Sequence, residues 1–406
     1  MSMGNIATTG MQAAMSNMDV ISNNISNANT LGFKKSTASF SDLFPSGNDA
    51  SGLQIGLGVN LSGVQQNFQP GGISDTGLPS DLCITGAGFF IMRDPVKGSN
   101  TYTRNGHFTF DSTNGYFNLG SQRLQGFPAL ANGTIPAGSI PSDLKVNTAA
   151  QPAKATTTVT AQGLNLNSGD TIPSKTPFDA TDVTTYNYTN HSTMYDSLGN
   201  ATNLDLYYVK TAANTWSVYS SVNGNVINSG SPGSISFTQG GQISSTSGLT
   251  GLSYTPTTGA APLSFNVNLT GTTQFGNPDT TTSPFTTDGY PAGTFSKYAI
   301  DSNGIVTAIY SNGPPVTVGQ VALATFESPQ NLQNQGGATW AATAGSGAPV
   351  SNPGNSTASI KQAALEMSNV DLAAELVSLI NAQNTFQANA QVEQTYNQVM
   401  QTVTKL

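Results

Sequence analysis

The chain has 406 residues, of which 13 are Lys or Arg and 21 are Asp or Glu, so 8% are charged and the formal net charge is -8. That is far below the ~25% of an ordinary soluble protein, and it excludes a nucleic-acid binder, which needs clustered cations to displace counterions, as well as a polybasic membrane binder. One cysteine (Cys83) and two histidines (His107, His191) exclude an internal disulfide and are too few for a closed structural zinc site unless carboxylates join them.

Residues 1–32 read as a helix. Ala7, Met11, Ala14, Met18, Ile21, Ile25 and Ala28 follow alternating steps of four and three with no proline between them, an a/d seam with Gly32 placed to end it. Asp19 is the one charge before Lys34, and Asn5, Asn17, Asn23, Asn24 and Asn27 are poor helix formers. A helix that is weak alone and has no charged face needs neighbours, which an assembly supplies. The opening Met-Ser-Met-Gly-Asn has no basic stretch leading into an apolar run, so no cleaved signal peptide is expected. No apolar run reaches the ~18 residues of a membrane span either, and these signs alone point to the cytosol.

Residues 33–75 read as an extended connector, in which Leu53, Ile55, Leu57, Val59 and Leu61 alternate with small or polar residues. From 76 to 150 the alternating runs Phe89–Ile91 and Phe108–Phe110 predict strands. Across 151–285, a Thr-, Ser-, Asn- and Gly-rich stretch, strands are predicted at Leu204–Val209, Trp216–Val222 and Leu263–Leu269. Residues 286–355 return to the pattern at Tyr298–Ile300, Ile305–Tyr310 and Gln320–Phe326. The pairs Asn105-Gly106, Asn114-Gly115, Asn132-Gly133, Asn223-Gly224, Asn303-Gly304 and Asn312-Gly313 suit tight hairpin turns, and with few helical segments to carry crossovers the sheets are expected to be antiparallel.

All four Glu fall in the last fifth, which turns helical again. Within 356–406, Leu372, Leu376, Leu379, Gln383, Phe386 and Ala390 keep the step of four and three; Val392, Tyr396, Val399 and Val403 resume it after a small phase shift. Capping boxes at Ser359–Gln362 and Ser368–Asp371 offer two starts for this helix. The expected fold is therefore mainly β with terminal α-helices: two antiparallel β-rich domains in series on a paired-helix, coiled-coil-like domain.

Chemistry is hard to find. No glycine fingerprint, phosphate loop or nucleophile elbow is present. Asp111–Gly115 and Asp301–Gly304 lack the carboxylate spacing of calcium loops and read as turns. Cys83 lies in a predicted buried strand, His107 follows a turn, and Trp216 and Trp340 suit core or interface anchors. Catalytic, metal and cofactor sites are all expected to be absent, so the chain is read as no enzyme.

Three stretches carry a family resemblance. Ser22-Asn-Asn-Ile-Ser-Asn-Ala-Asn-Thr-Leu-Gly-Phe-Lys34, with Asn24, Asn27, Asn29, Gly32 and Phe33, resembles the opening signature of the bacterial flagellar rod and hook axial proteins. Ser368-Asn-Val-Asp-Leu-Ala-Ala-Glu-Leu-Val377, with Asn369 and Asp371, and then Gln383, Gln387 and Asn389 resemble that family's closing helix. Gly88-Phe-Phe90, Thr103-Arg104-Asn105-Gly106 and Leu124-Gln-Gly126 resemble its shared β-domain. The insert around Ser192–Asn200, Leu206–Lys210 and Trp216–Tyr219 is similar to that of the hook members. One departure stands out: Asn384 and Phe386 occupy positions where the family usually has Arg and Tyr.

The resemblance implies a structural subunit that polymerises into the hook, a flexible tube passing torque from rod to filament. A distal rod subunit is the alternative, and a surface adhesin a more remote one. It implies as partners other copies of the chain, the distal rod protein, the hook–filament junction proteins, the hook cap and the flagellar type III export apparatus, with no nucleic acid and no membrane insertion. It also reverses the cytosolic reading, because export through that apparatus delivers the protein outside the cell. Residues 1–32 and 356–406 would form the helical assembly domain, 33–75 the connector, 76–150 with 286–355 the inner β-domain, and 151–285 the outer one. The seam residues Ala7, Met11, Ala14, Met18, Ile21, Ile25, Ala28, Leu372, Leu376, Leu379, Phe386, Ala390, Tyr396 and Val399 are the candidate assembly interface.

Overall fold

The computed structural model describes residues 3–44, 56–161, 163–277, 280–281, 285–353 and 358–404; Leu53 and Ile55 of the expected extended segment lie outside them. The chain divides into two compact units. The first comprises 1–148, 298–308 and 316–406, and the second 149–297 and 309–315. Among the described residues there are two α-helices, α1 (Met3–Ser26) and α2 (Leu372–Val403), both in the first unit.

The β framework of the first unit grows from runs of large apolar residues. Phe89–Arg93 pairs antiparallel with Asn100–Thr103, Gln122–Pro128 and Val316–Thr325, and Asn100–Thr103 pairs onward with Thr339–Ala341. Phe89, Ile91, Tyr102, Phe127, Ala322 and Trp340 are buried together. The connector is more structured than its sequence shows: Ser36–Asp42 and Val59–Gln66 form an antiparallel hairpin, with Phe40 opposite Leu61. Such a ribbon is marginal alone, and tertiary contacts hold it. Gln66 Oε1 accepts a 2.6 Å bond from Trp340 Nε1, and the Phe68 ring meets Phe89 and Trp340 edge-on at 5.4 and 5.5 Å. Further on, Ile73–Asp75 pairs with Ala364–Glu366 and Leu82–Gly86 with Ala358–Gln362, so the two ends of the chain are stitched side by side.

In the second unit, Tyr188–Tyr195, Ala201–Ala212, Thr215–Val222, Gly233–Phe237 and Ile243–Ser247 form one antiparallel sheet in that order. Alternation on Ala201–Ala212 sends Leu204, Leu206 and Tyr208 inward, where they join Trp216, Val218, Ile235 and Phe265 in the core. Among the described residues two short pairings depart from the antiparallel rule: Thr158–Thr160 runs parallel to Asn266–Asn268, and Asn165–Asn167 parallel to Thr273–Phe275. No helical crossover is needed, because about a hundred residues of sheet separate the paired strands and bring the chain back in the same direction.

The Asn-Gly pairs behave less uniformly than their composition suggests. Asn223-Gly224 takes positive φ at both residues (47° and 81°) and closes a tight turn, as the hairpin rule requires. Asn105-Gly106 is not such a turn; a Cβ on Gly106 would stand 1.6 Å from the Leu82 carbonyl oxygen, so the glycine is there for close packing of backbones.

Candidate assembly site

The expected N-terminal seam is the buried stripe of α1 as far as Ile25: Ala7, Ala14 and Ile21 are buried, and Met11, Met18 and Ile25 are half-buried; Ala28, also half-buried, lies in the turn beyond the helix end. It packs along α2, where Ala382 is buried and Leu379, Phe386, Ala390 and Tyr396 are half-buried. The match is close enough that a Cβ on Gly10 would press to 2.8 Å from Asn389 Oδ1. Leu372, Leu376 and Val399 of the predicted α2 seam instead face solvent. Val377, Ile380, Val392, Met400 and Val403 are exposed as well, so α2 carries large apolar side chains that this subunit leaves uncovered. Gln383 and Gln387 are also exposed. A groove of about 670 Å³ opens between the helices and the hairpin, lined by Ile6, Gly10, Ala14, Phe40, Val59 and Ala382 among others.

The helix ends correct two expectations. Gly32 does not terminate α1, which stops at Ser26, where Asn27 donates its side-chain amide to the Asn23 carbonyl at 2.9 Å and takes a 3.0 Å bond from Thr30 Oγ1. Gly32 has φ +66°, and a Cβ there would sit 2.6 Å from the Asn105 nitrogen, so both the backbone conformation and the close approach call for glycine. At the other end neither Ser359 nor Ser368 starts α2. Ser359 lies in a strand, and Asp371 caps the helix, its Oδ1 accepting from Ala373 N at 2.9 Å and Ala374 N at 3.2 Å.

Between these ends the motif residues converge. Glu366 sits at the centre, 1% exposed. Its Oε1 accepts from Lys34 Nζ at 2.6 Å and from the Gly71 amide at 2.9 Å; its Oε2 accepts from Arg104 at 3.2 Å; its carbonyl accepts from the Gly32 amide at 2.9 Å. Lys34 donates again to the Gln69 carbonyl at 2.8 Å and Arg104 to the Gly86 carbonyl at 2.9 Å. Burial pushes both cations below their ordinary pKa values while Glu366 pulls them back up. A second ring of contacts surrounds this triad. Asn369 accepts from the Lys35 amide at 2.8 Å and donates to the Asn67 and Gln69 carbonyls at 2.8 and 3.1 Å. Asn24 donates to the Ser36 carbonyl at 2.8 Å and to Glu375 Oε2 at 3.3 Å, and accepts from the Ser36 amide at 2.9 Å.

Thus Asn24, Gly32, Arg104, Asn105 and Asn369 meet in one place, with Phe33 lending its carbonyl to the Asn369 amide; Asn27 and Asp371 shape the two helix ends, and Asn29 is exposed. Glu366 and Lys34 form the shortest ion pair of this cluster, and spacing does not single them out. A signal existed: in a chain with 8% charge, one motif ends on a lysine and the other is preceded by a glutamate. None of this is catalytic geometry. Burial lifts the Cys83 thiol to about 11, which keeps it protonated, and His107 Nδ1 lies 2.8 Å from Asp81 Oδ1 beside a strand. Among the described residues there is no group of three or more metal-ligating side chains, and no helix is long and apolar enough to cross a membrane.

Comparison with known proteins gives matches along the whole chain. Residues 5–34 match the family of flagella basal body rod proteins, 165–290 the flagellar basal body protein FlaE D2 domain, and 361–406 the C-terminal region of the flagellar basal body rod FlgEFG proteins. The flagellar hook protein FlgE of Salmonella typhimurium is 36% identical over 406 residues, covering 98% of each chain. That of Escherichia coli is 36% identical over 411 residues with the same coverage, and that of Borreliella burgdorferi 31% over 442. The crystal structure of Helicobacter pylori flagellar hook protein FlgE2 shares the fold at a TM-score of 0.52 and 14% identity, covering 71% of this chain and 99% of that one.

Proposed function

The chain belongs to the flagellar hook protein family and is a structural subunit of the bacterial flagellar hook, and from that premise we propose how its parts divide the work. The helical segments 1–32 and 356–406 carry the contacts between copies in the wall of the tube. The connector 33–75 joins them to an inner β-domain of 76–150 and 286–355, and 151–285 forms the outer domain. The observation that carries this reading is the apolar side chains that α2 leaves in solvent in a subunit whose β cores are closed. Burying that surface against neighbours provides the drive for polymerisation at about 25 cal/mol per Å².

The outer domain would meet its neighbours through Ser, Thr, Asn and Gln. Hydrogen bonds between such groups exchange with water at small net cost, so contacts can shift as the tube bends while it carries torque. We read the protein as non-catalytic, without metal or cofactor. Its partners are further copies, the distal rod protein, the hook–filament junction proteins and the hook cap, and it reaches the outside of the cell through the flagellar type III apparatus without loss of a signal peptide.

Electron microscopy of basal bodies from a strain lacking this gene tests the assignment. Complete rods without hooks are expected. A truncated rod would move the subunit inward to the distal rod, and intact flagella would end the flagellar reading.

A further inference from the structure

The triad of Lys34, Glu366 and Arg104 joins three parts of the chain, and two of its members lie 332 residues apart. Each of the three side chains is at most 3% exposed. Two cations share one carboxylate, and Arg104 Nε finds no partner, so the cluster has no spare acceptor to replace Glu366. Without Glu366, Lys34 and Arg104 would be buried charges with no counter-charge, a state that opens rather than persists. The surrounding contacts depend on the same junction: the amides of Gly32, Lys35 and Gly71 all take acceptors from residues 366–369.

We propose that Glu366 is a positioning residue for assembly, which locks the segment leading out of α1 onto the β framework and thereby sets α1 against α2 in the geometry that neighbouring copies recognise. The lock needs residues from both ends of the chain. An incomplete chain therefore cannot present the paired helices, and polymerisation is confined to finished subunits. This inference rests on the reading of the helices as the assembly element.

The test uses the purified full-length chain, with polymerisation followed by light scattering and electron microscopy. Glu366→Gln keeps the size of the side chain and removes its charge; it is expected to lower polymer yield about a hundredfold or more under reducing conditions, and Lys34→Met is expected to do the same from the other segment. A staple then separates positioning from any other role. Asp75 and Ala364 stand opposite each other in the ribbon, between the bonds from the Met367 amide to the Gly72 carbonyl and from the Thr76 amide to the Ala363 carbonyl, each 2.8 Å. That makes them a non-hydrogen-bonded antiparallel pair, with Cα atoms about 4.5 Å apart and side chains close, within disulfide range. The native thiol at Cys83 is buried and does not compete.

Adding Asp75→Cys and Ala364→Cys to each variant should restore polymers after oxidation and lose them again with reductant. Glu366→Gln or Lys34→Met chains that polymerise like the wild type would overturn the proposal. So would chains in which mass spectrometry shows the disulfide formed and which still do not polymerise. Ile380→Asp distinguishes the two readings, since it lies outside the triad. Normal polymers from that variant would remove the helical assembly reading itself, whereas normal polymers from Glu366→Gln would remove only the lock.

Discussion

The sheet of the second unit and the helix pair of the first use the same kinds of side chain to opposite ends. On Ala201–Ala212 alternate side chains point inward and the core around Trp216 and Tyr208 is closed within the subunit. On α2 only Glu375 and Ala382 are fully buried, neither of them in the predicted seam, while Leu376, Val377, Ile380 and Val399 remain at least half exposed. The first element is complete as one chain folds. The second is complete only when other chains arrive. A large uncovered apolar surface marks an interaction site, and here it lies on an element with few charges to keep it soluble alone.

The comparison breaks most sharply at the core of the second unit. Trp216→Ala removes a fully buried indole that also donates to Gln274 at 3.2 Å, and should destabilise that unit by about 3–5 kcal/mol in a denaturant titration. The helix pair should keep its helical circular dichroism; a loss of both signals together would show that the two regions do not fold independently.

A charge placed on either face of the helix pair probes the difference from the other side. Ile21→Asp puts a charge at a site 4% exposed against α2, so it should both unpair the helices and stop polymerisation. Ile380→Asp, at a site 55% exposed, should stop polymerisation with subunit stability unchanged to within about 0.5 kcal/mol. Equal destabilisation of the monomer by the two changes would mean that Ile380 is covered within the subunit.

Smaller effects sharpen the picture. Asp371→Ala removes the cap of α2 and should cost about 1 kcal/mol, read as fraying of the first turn by hydrogen exchange at Ala373 and Ala374. In the second unit burial alone would raise the pKa of Asp288, but bonds from Thr157 Oγ1, the Thr158 and Thr157 amides and Lys154 outweigh it and hold the carboxyl at about 2. A carboxylate held below its unfolded value adds stability that is complete above about pH 4 and disappears as the pH falls toward 2. Asp288→Asn should therefore flatten the acid limb of that unit's stability curve between those values, and an unchanged limb would assign the acid sensitivity to another group.

Much of this architecture is local and so was legible in the residues themselves. The step of four and three marks α1 because a helix repeats every 3.6 residues, and the alternation at Leu204–Val209 marks a strand because its repeat is two. The buried strand around Cys83 and the anchoring of Trp216 and Trp340 follow from similar patterns of burial. What a repeat does not contain is the identity of the partner. Periodicity allowed Leu372, Leu376 and Leu379 to share one seam, yet only the packing of α1 decides that Leu379 turns inward and the other two outward. Gly32 looked like a helix stop and Gly106 like a turn, and both are glycines because another backbone passes too close for a Cβ. The triad was the least legible feature of all. Lys34 and Glu366 are distant in sequence and each is unremarkable alone; their meaning arises only when the fold buries both and leaves each as the other's counter-charge.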